Sequence, residues 1–160
     1  MSDSTDAAVD QYSLERLQDR AQITSMMAIY TRCADLNLPE QQAAVFTEDC
    51  RVLFHPGQWV VGRALLAEAL IASMARLAQS SHSFSNVEIW FESNDSATAQ
   101  SVVIAWHRRT DGSEWTLYGR YVDRWVRVDA GWRISERELR AAGAVGRDDS
   151  ELPSLGRNAR

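Results

Sequence analysis

Three histidines, His55, His82 and His107, are the side chains of this 160-residue chain that titrate near neutral pH without a large shift. Two of them fall in a pattern suited to moving protons. His82 opens an alternating segment after the polar lead-in Gln79-Ser-Ser81, and His107 nears the end of the next segment on the parity of Val103 and Ala105. A hairpin turn near residues 93–96 sets His82 opposite His107, unless a bulge shifts the register. Imidazoles so placed can take a proton from a substrate and return it. Asp35 is the natural third member, since a carboxylate can orient a histidine ring and stabilise its cation. Structural uses stay open for each of them. His82 shares its parity with the polar Asn86 and Glu88, although Phe84, Val103 and Ala105 suit a cavity wall. His107 precedes Arg108 and Arg109 and can face solvent, and Asp35 can simply end a helix. His55, before Pro56-Gly57, reads as a turn residue.

These side chains need elements to carry them. Leu14, Leu17, Ala21, Met27, Tyr30 and Ala34 recur at three- and four-residue steps, which predicts a helix capped by Ser13 and ending near Asp35-Leu-Asn37. Tyr30 lies on that apolar stripe and can be core. Residues five apart on a helix point about 140° apart, so Tyr30 and Asp35 share a cavity only where the helix bends or ends between them. Pro39 starts a short helix through Phe46. Arg51-Val-Leu-Phe54 and Gln58-Trp-Val-Val61 form a hairpin, and residues 63–77 form a third helix rich in Ala and Leu. Four strands follow at about 82–91, 97–109, 114–127 and 132–140, divided by turn residues. Within the first of them, Phe84 and Trp90 break the alternation. Helices followed by a long meander predict an α+β fold with helices on one face of a curved sheet.

The chain fits one domain, expected over residues 13–142. Residues 1–12 are expected to be disordered, and residues 143–160 disordered or extended, because they carry little apolar surface. A net charge of -5 argues against nucleic acid and anionic membrane as partners. No apolar run approaches a membrane span. With an acidic start and two cysteines, Cys33 and Cys50, we expect neither a signal peptide nor a disulfide scaffold, and a cytoplasmic setting. Competing chemistries lack their motifs: no metal-ligand spacing, no phosphate loop, no nucleophile elbow. We therefore expect neither metal nor cofactor.

Six pieces together, Tyr30-Thr-Arg-Cys-Ala-Asp35, Phe46-Thr-Glu-Asp49, Gly62-Arg63, Ser81-His82-Ser-Phe-Ser-Asn86, Gly119-Arg-Tyr-Val-Asp123 and Gly131-Trp-Arg-Ile134, resemble the SnoaL-like branch of the nuclear transport factor 2-like superfamily. The resemblance covers about residues 13–142 and implies a cone-shaped α+β barrel, with three N-terminal helices packed on a strongly curved, mostly antiparallel sheet. Asp35, His82 and His107 match the aspartate and two histidines of scytalone dehydratases. Tyr30, Asp35 and His82 match the tyrosine, aspartate and histidine of bile acid 7α-dehydratases, where an acid stands in place of His107. The implied activity is a cofactor-independent dehydratase or isomerase/cyclase with His82, Asp35, Tyr30 and His107 as catalytic residues. The expected substrate is a small hydrophobic molecule, polycyclic or polyketide-like. Phe54, Trp59, Trp106 and Tyr121 are expected to contact it, with Arg137 meeting an anionic group. The tryptophans otherwise serve as sheet core or dimer face, and a homodimer through the sheet is expected. Members of this superfamily also include noncatalytic β subunits of ring-hydroxylating dioxygenases and epoxide hydrolases. Those leave a binding subunit, or an epoxide-opening enzyme using Asp35 and Glu136, as alternatives.

Overall fold

The structure is a computed structural model that describes residues 9–148, 150 and 152–156. Helix α1 spans Leu14–Asp35, and the Ser13 hydroxyl accepts a hydrogen bond from the Arg16 N–H at its start, as the cap requires. Helix α2 spans Pro39–Ala43, strand β1 Phe46–His55, β2 Gln58–Val61 and helix α3 Arg63–Met74. Strands β3 (Leu77–Phe91), β4 (Ser96–Arg109), β5 (Glu114–Val128) and β6 (Gly131–Val145) complete one sheet of order β2-β1-β6-β5-β4-β3. Every neighbouring pair is antiparallel except β1 and β6. The helices pack on the concave face, which makes the α+β cone expected from the helices-then-meander order. Trp125, Trp132, Phe46, Ile23, Leu66 and Ile134 are fully buried and form the centre of the core.

Several boundaries differ from the sequence expectation. Helix α2 stops at Ala43, and β1 begins at Phe46 rather than at Arg51. The polar run Thr47-Glu-Asp49 hides the strand's start from an alternation test, but Val45 and Phe46 are buried and lead the chain into the sheet. Helix α3 ends at Met74, and β3 begins five residues before His82.

The hairpin between β3 and β4 decides which way the histidines point. Near the turn Ile89 faces Ala99, but beyond Glu88 the register changes, so that Ser85 faces Val102 and His82 faces Ala105. Asn86 and Val87 together oppose one residue of β4, and Asn86 takes a φ of 49°, a left-handed conformation that Asn tolerates. This bulge reverses the strand's parity. Ile89 and Phe91 point inward on one side of it, His82 and Phe84 on the other, while Trp90 stays outside and 48% exposed. The bulge explains why Phe84 broke the alternation; Trp90 follows it and stands on the outer face. The expected direct pairing of His82 with His107 is corrected: Ser80 sits opposite His107, so the two rings are diagonal neighbours on one face.

The ends of the chain are also tied down where they are described. The Gln11 carboxamide donates to the Phe91 carbonyl and accepts from the Phe91 N–H, pairing the free edge of β3. Strand β6 runs on to Val145, past the end of its pairing with β1 at Glu138. Its freed edge is taken by the returning tail, where the Ala141 N–H donates to Pro153 and the Leu155 N–H donates to Ala141. Leu152 is buried beside this bridge. Gln11 thus ties the chain before α1 to the edge of β3, residues 143–145 continue β6 beside β5, and the segment around Pro153 and Leu155 runs extended along the freed edge of β6. The expectations for residues 1–8, 149, 151 and 157–160 fall outside the described residues.

Candidate active site

Between the helices and the concave sheet lies a cavity of about 430 Å³, within the range that holds a small organic ligand. Its wall is mostly apolar, from Leu70, Met74, Leu77, Leu117 and Leu139. His82 enters from β3 with its side chain 11% exposed. Asp35, the last residue of α1, reaches across to it: one carboxylate oxygen lies 2.7 Å from the His82 Nδ1, and the other accepts the His82 backbone N–H at 3.0 Å. The Ser80 hydroxyl, two residues back on the same face of β3, donates to the same carboxylate at 3.2 Å. Helix α1 runs on through Asp35 without ending between the two residues, and they do not share the cavity wall: Tyr30 lines it, whereas Asp35 acts on it through the His82 ring.

Burial pushes the Asp35 carboxyl up, but hydrogen bonds from the His82 ring and backbone, with Ser80, outweigh it and leave the carboxyl below its ordinary range. An ionised acceptor on Nδ1 holds the proton on that nitrogen. Nε2 of His82 then carries the lone pair and is the basic atom available to a ligand.

His107 lies with its ring centre 5.2 Å from that of His82 and perpendicular to it. It is buried, and stacks on Trp115 at 3.9 Å with only 10° between the planes. The Arg147 guanidinium sits 4.8 Å from the Trp115 ring. Burial, reinforced by repulsion from His82, pushes His107 down to about 4. At neutral pH it is therefore an uncharged imidazole, able to donate or accept a hydrogen bond but not to act as a cationic acid.

Deeper in, the Tyr30 and Tyr121 rings meet edge to face at 5.9 Å. Burial, with Tyr30 alongside, holds the Tyr121 phenol well above its usual range, so it stays protonated. Phe54 and Trp59 line the cavity from the β1–β2 hairpin, as does His55, which sequence alone places only in a turn.

Two residues expected to contact substrate, Arg137 and Trp106, do not line the cavity. Arg137 is 1% exposed and lies behind the tyrosines, its guanidinium 4.3 Å from the Tyr30 ring and 4.1 Å from Tyr121. Asp123 binds it through two 2.7 Å hydrogen bonds, which balance its charge inside the core. Trp106 points to the outer face, because strand alternation that turns His107 inward turns its neighbour outward. Its indole N–H donates to Glu114, and Arg108 packs over the ring. Glu136, invoked for an epoxide reading, pairs with Arg51 and Arg124 away from the cavity. No carboxylate lines the cavity among the described residues.

Sequence reasoning missed Gln42, Trp115, Arg147 and Leu152 as lining residues. Trp115 was within reach, since the 110–113 turn places it opposite His107. The others had no local signal. Among the described residues no cluster of three His, Cys, Asp or Glu side chains is disposed to hold a metal, and no helix is long and apolar enough to cross a membrane.

Comparison with known proteins places these features in company. Residues 15–138 match the family model of the SnoaL-like domain. A crystal structure from Novosphingobium aromaticivorans, described as a candidate scytalone dehydratase, is 34% identical over 92% of this chain and 100% of its own, with a TM-score of 0.87. A candidate aromatic ring hydroxylase from the same organism is 25% identical over 82% of this chain and 94% of its own, with a TM-score of 0.77. A type 2 hexachlorocyclohexane dehydrochlorinase shares the fold at 15% identity, covering 91% of this chain and 99% of its own, with a TM-score of 0.78. A comparison with functionally curated proteins gave no match.

Proposed function

The chain belongs to the SnoaL-like domain family, and on that footing we propose that it is a cofactor-independent dehydratase acting on a hydrophobic polycyclic or polyketide-like substrate. The observation that carries this reading is the 2.7 Å contact of Asp35 with His82 Nδ1, at the edge of an apolar cavity. It leaves His82 Nε2 as an oriented base beside a mostly apolar wall.

In the proposed reaction His82 Nε2 removes a proton from the carbon next to a carbonyl. Negative charge gathers on the carbonyl oxygen, where the Tyr30 phenol donates a hydrogen bond; fixed donors of this kind are often the largest catalytic contribution. The C–O bond to the neighbouring carbon then breaks as the C=C bond forms. The departing hydroxyl takes the proton back from the His82 imidazolium and leaves as water, so atoms and charge balance. Asp35 steadies that imidazolium. His107, held uncharged, adds no second positive charge beside it and can hold the leaving oxygen or a water. Isomerisation or cyclisation would use the same first step. The similarity to a structure described as a candidate scytalone dehydratase supports dehydration.

The test is turnover of β-hydroxy ketones fused to an aromatic ring, followed by the absorbance of the conjugated product. His82→Ala should lower turnover by roughly 10³-fold or more. Retained turnover in that variant overturns the mechanism, and opening of an epoxide that survives the substitution would favour the hydrolase alternative. We also propose that two copies pair through the outer sheet face, where Trp90, Ile104 and Tyr118 are 48%, 43% and 43% exposed. Sedimentation equilibrium should give twice the chain mass; a monomer at micromolar concentration refutes the pairing.

A further inference from the structure

The proposed chemistry uses the Tyr30 phenol but not the ion pair behind it. Arg137 of β6 sits opposite Asp123 of β5, and each is 1% exposed. Asp123 accepts from the arginine Nε and Nη2 at 2.7 Å, while Nη1 has no hydrogen-bond partner among the described residues. The guanidinium carbon instead lies near three rings, 4.3 Å from the centre of Tyr30, 4.1 Å from Tyr121 and 5.6 Å from Phe46. Both tyrosines line the cavity, and neither charged residue does. A buried ion pair is a poor way to stabilise a core, since apolar residues of similar volume are often as stable or more so. Other inward positions on these two strands, Tyr121, Trp125, Ile134 and Leu139, are uncharged. Packing alone would be served by apolar residues, so the pair needs another explanation. It is not electrically silent toward the phenols: at Tyr121 the pull of the Arg137 cation outweighs the repulsion of the Asp123 anion. Sealed from solvent, that surplus positive field is weakly screened.

We infer that Arg137 is a positioning residue for the proposed reaction, acting through Tyr30: its cation, fixed by Asp123, favours the negative charge that gathers on the carbonyl oxygen. The inference rests on the proposed function for a ketone whose oxygen meets the Tyr30 phenol. A cation against the ring draws electron density toward itself, so the phenol O–H becomes a stronger donor to that oxygen. Asp123 holds the guanidinium fork in one orientation, so nothing has to reorganise as the charge develops. The substrate itself never touches the arginine. An uncharged ketone gains little from this field and the charged transition state gains more, so the effect falls on kcat rather than on binding.

The test removes both charges at once, Arg137→Met with Asp123→Leu, so that neither is left alone in the core. Arg137→Gln with Asp123→Asn is a second uncharged pair, which serves if the apolar one does not fold. The probe is 1-tetralone, an unreactive ketone fused to an aromatic ring, and its bound C=O stretch is read by infrared difference spectroscopy. The band should lie at lower frequency in the wild type than in the uncharged variants. That difference should vanish when all carry Tyr30→Phe. With the β-hydroxy ketone, losing the pair should lower kcat about tenfold or more at nearly constant KM, and should change little in the Tyr30→Phe background. The inference is overturned if the wild-type band is no lower, or if the difference survives Tyr30→Phe. It is equally overturned if the wild type gives no bound tetralone band, which needs no variant to fold. Normal turnover with a band indifferent to the pair sinks the inference alone. A band that shifts as expected without turnover sinks the dehydratase reading alone.

Discussion

Helix α1 carries two carboxylates that face the interior, Asp19 near one end and Asp35 at the other, and their surroundings differ in kind. Asp19 accepts from the Arg16 guanidinium at 2.7 Å, from Arg127 through both oxygens at 2.7 Å, and from the Trp132 indole N–H at 2.9 Å. Arg16 also bonds Asn94, so the cluster fastens α1 to the β3–β4 turn and to β5 and β6. Among the described residues Asp35 has no permanently charged hydrogen-bond partner; it holds a histidine ring, a backbone N–H and a serine hydroxyl. A carboxylate saturated by arginines has no proton to influence and serves as a fastening. One bonded to an imidazole sets where that ring's proton sits. Residue type and helix are the same, so the partner decides the role.

The sharpest way to break this comparison is to neutralise each carboxylate. Asp35→Asn should lower turnover by roughly 10²–10⁴-fold with little change in melting temperature, because it loses the charge that orients and stabilises the His82 cation. Asp19→Asn should do the opposite. Leaving Arg16 and Arg127 without their anion destabilises the fold by about 3–5 kcal/mol in denaturant unfolding, while turnover per folded molecule stays near that of the wild type. If the two variants exchange phenotypes, the assignment of roles is wrong.

A smaller effect separates His107 from both carboxylates. Its ring is pushed down to about 4 by burial and by His82, with Arg147 opposing the cation and Asp35 favouring it. An unfolded histidine takes up its proton near pH 6.5, earlier than this folded one. The stabilising contribution is thus complete above about pH 6.5 and is lost as pH falls toward about 4, by roughly 3 kcal/mol. His107→Phe should flatten that acid limb in urea titrations made across this range. An unchanged slope would mean that His107 is already charged in the folded protein.

Much of the fold was legible because its signals are local. Ser13, the apolar stripe of α1 and the turns at 110–113 and 129–131 place their elements within a residue or two. The facing of His82 and His107 was also legible, though through two compensating errors. The turn lies slightly earlier than expected, and the bulge at Asn86-Val87 shifts pairing by one more residue, so the parity survives. Arg137 shows why other contacts were not legible. Its spacing from Asp123 is visible only in the register of β5 with β6, and its depth only once the tyrosines pack over it. Arg147 and Leu152 lie in a segment of low hydrophobicity whose place comes from the unpaired edge of β6, a feature no local pattern reports.

By itself, the sequence determined the order of helices and strands and put two imidazoles on one face of one hairpin, since both follow from spacing over a few residues. Only tertiary structure decided that Asp35 reaches His82 and that Arg137 is sealed behind two phenols. Those outcomes depend on groups distant along the chain being desolvated together, and the energy of a buried polar group is set by which partners that packing brings within about 3 Å.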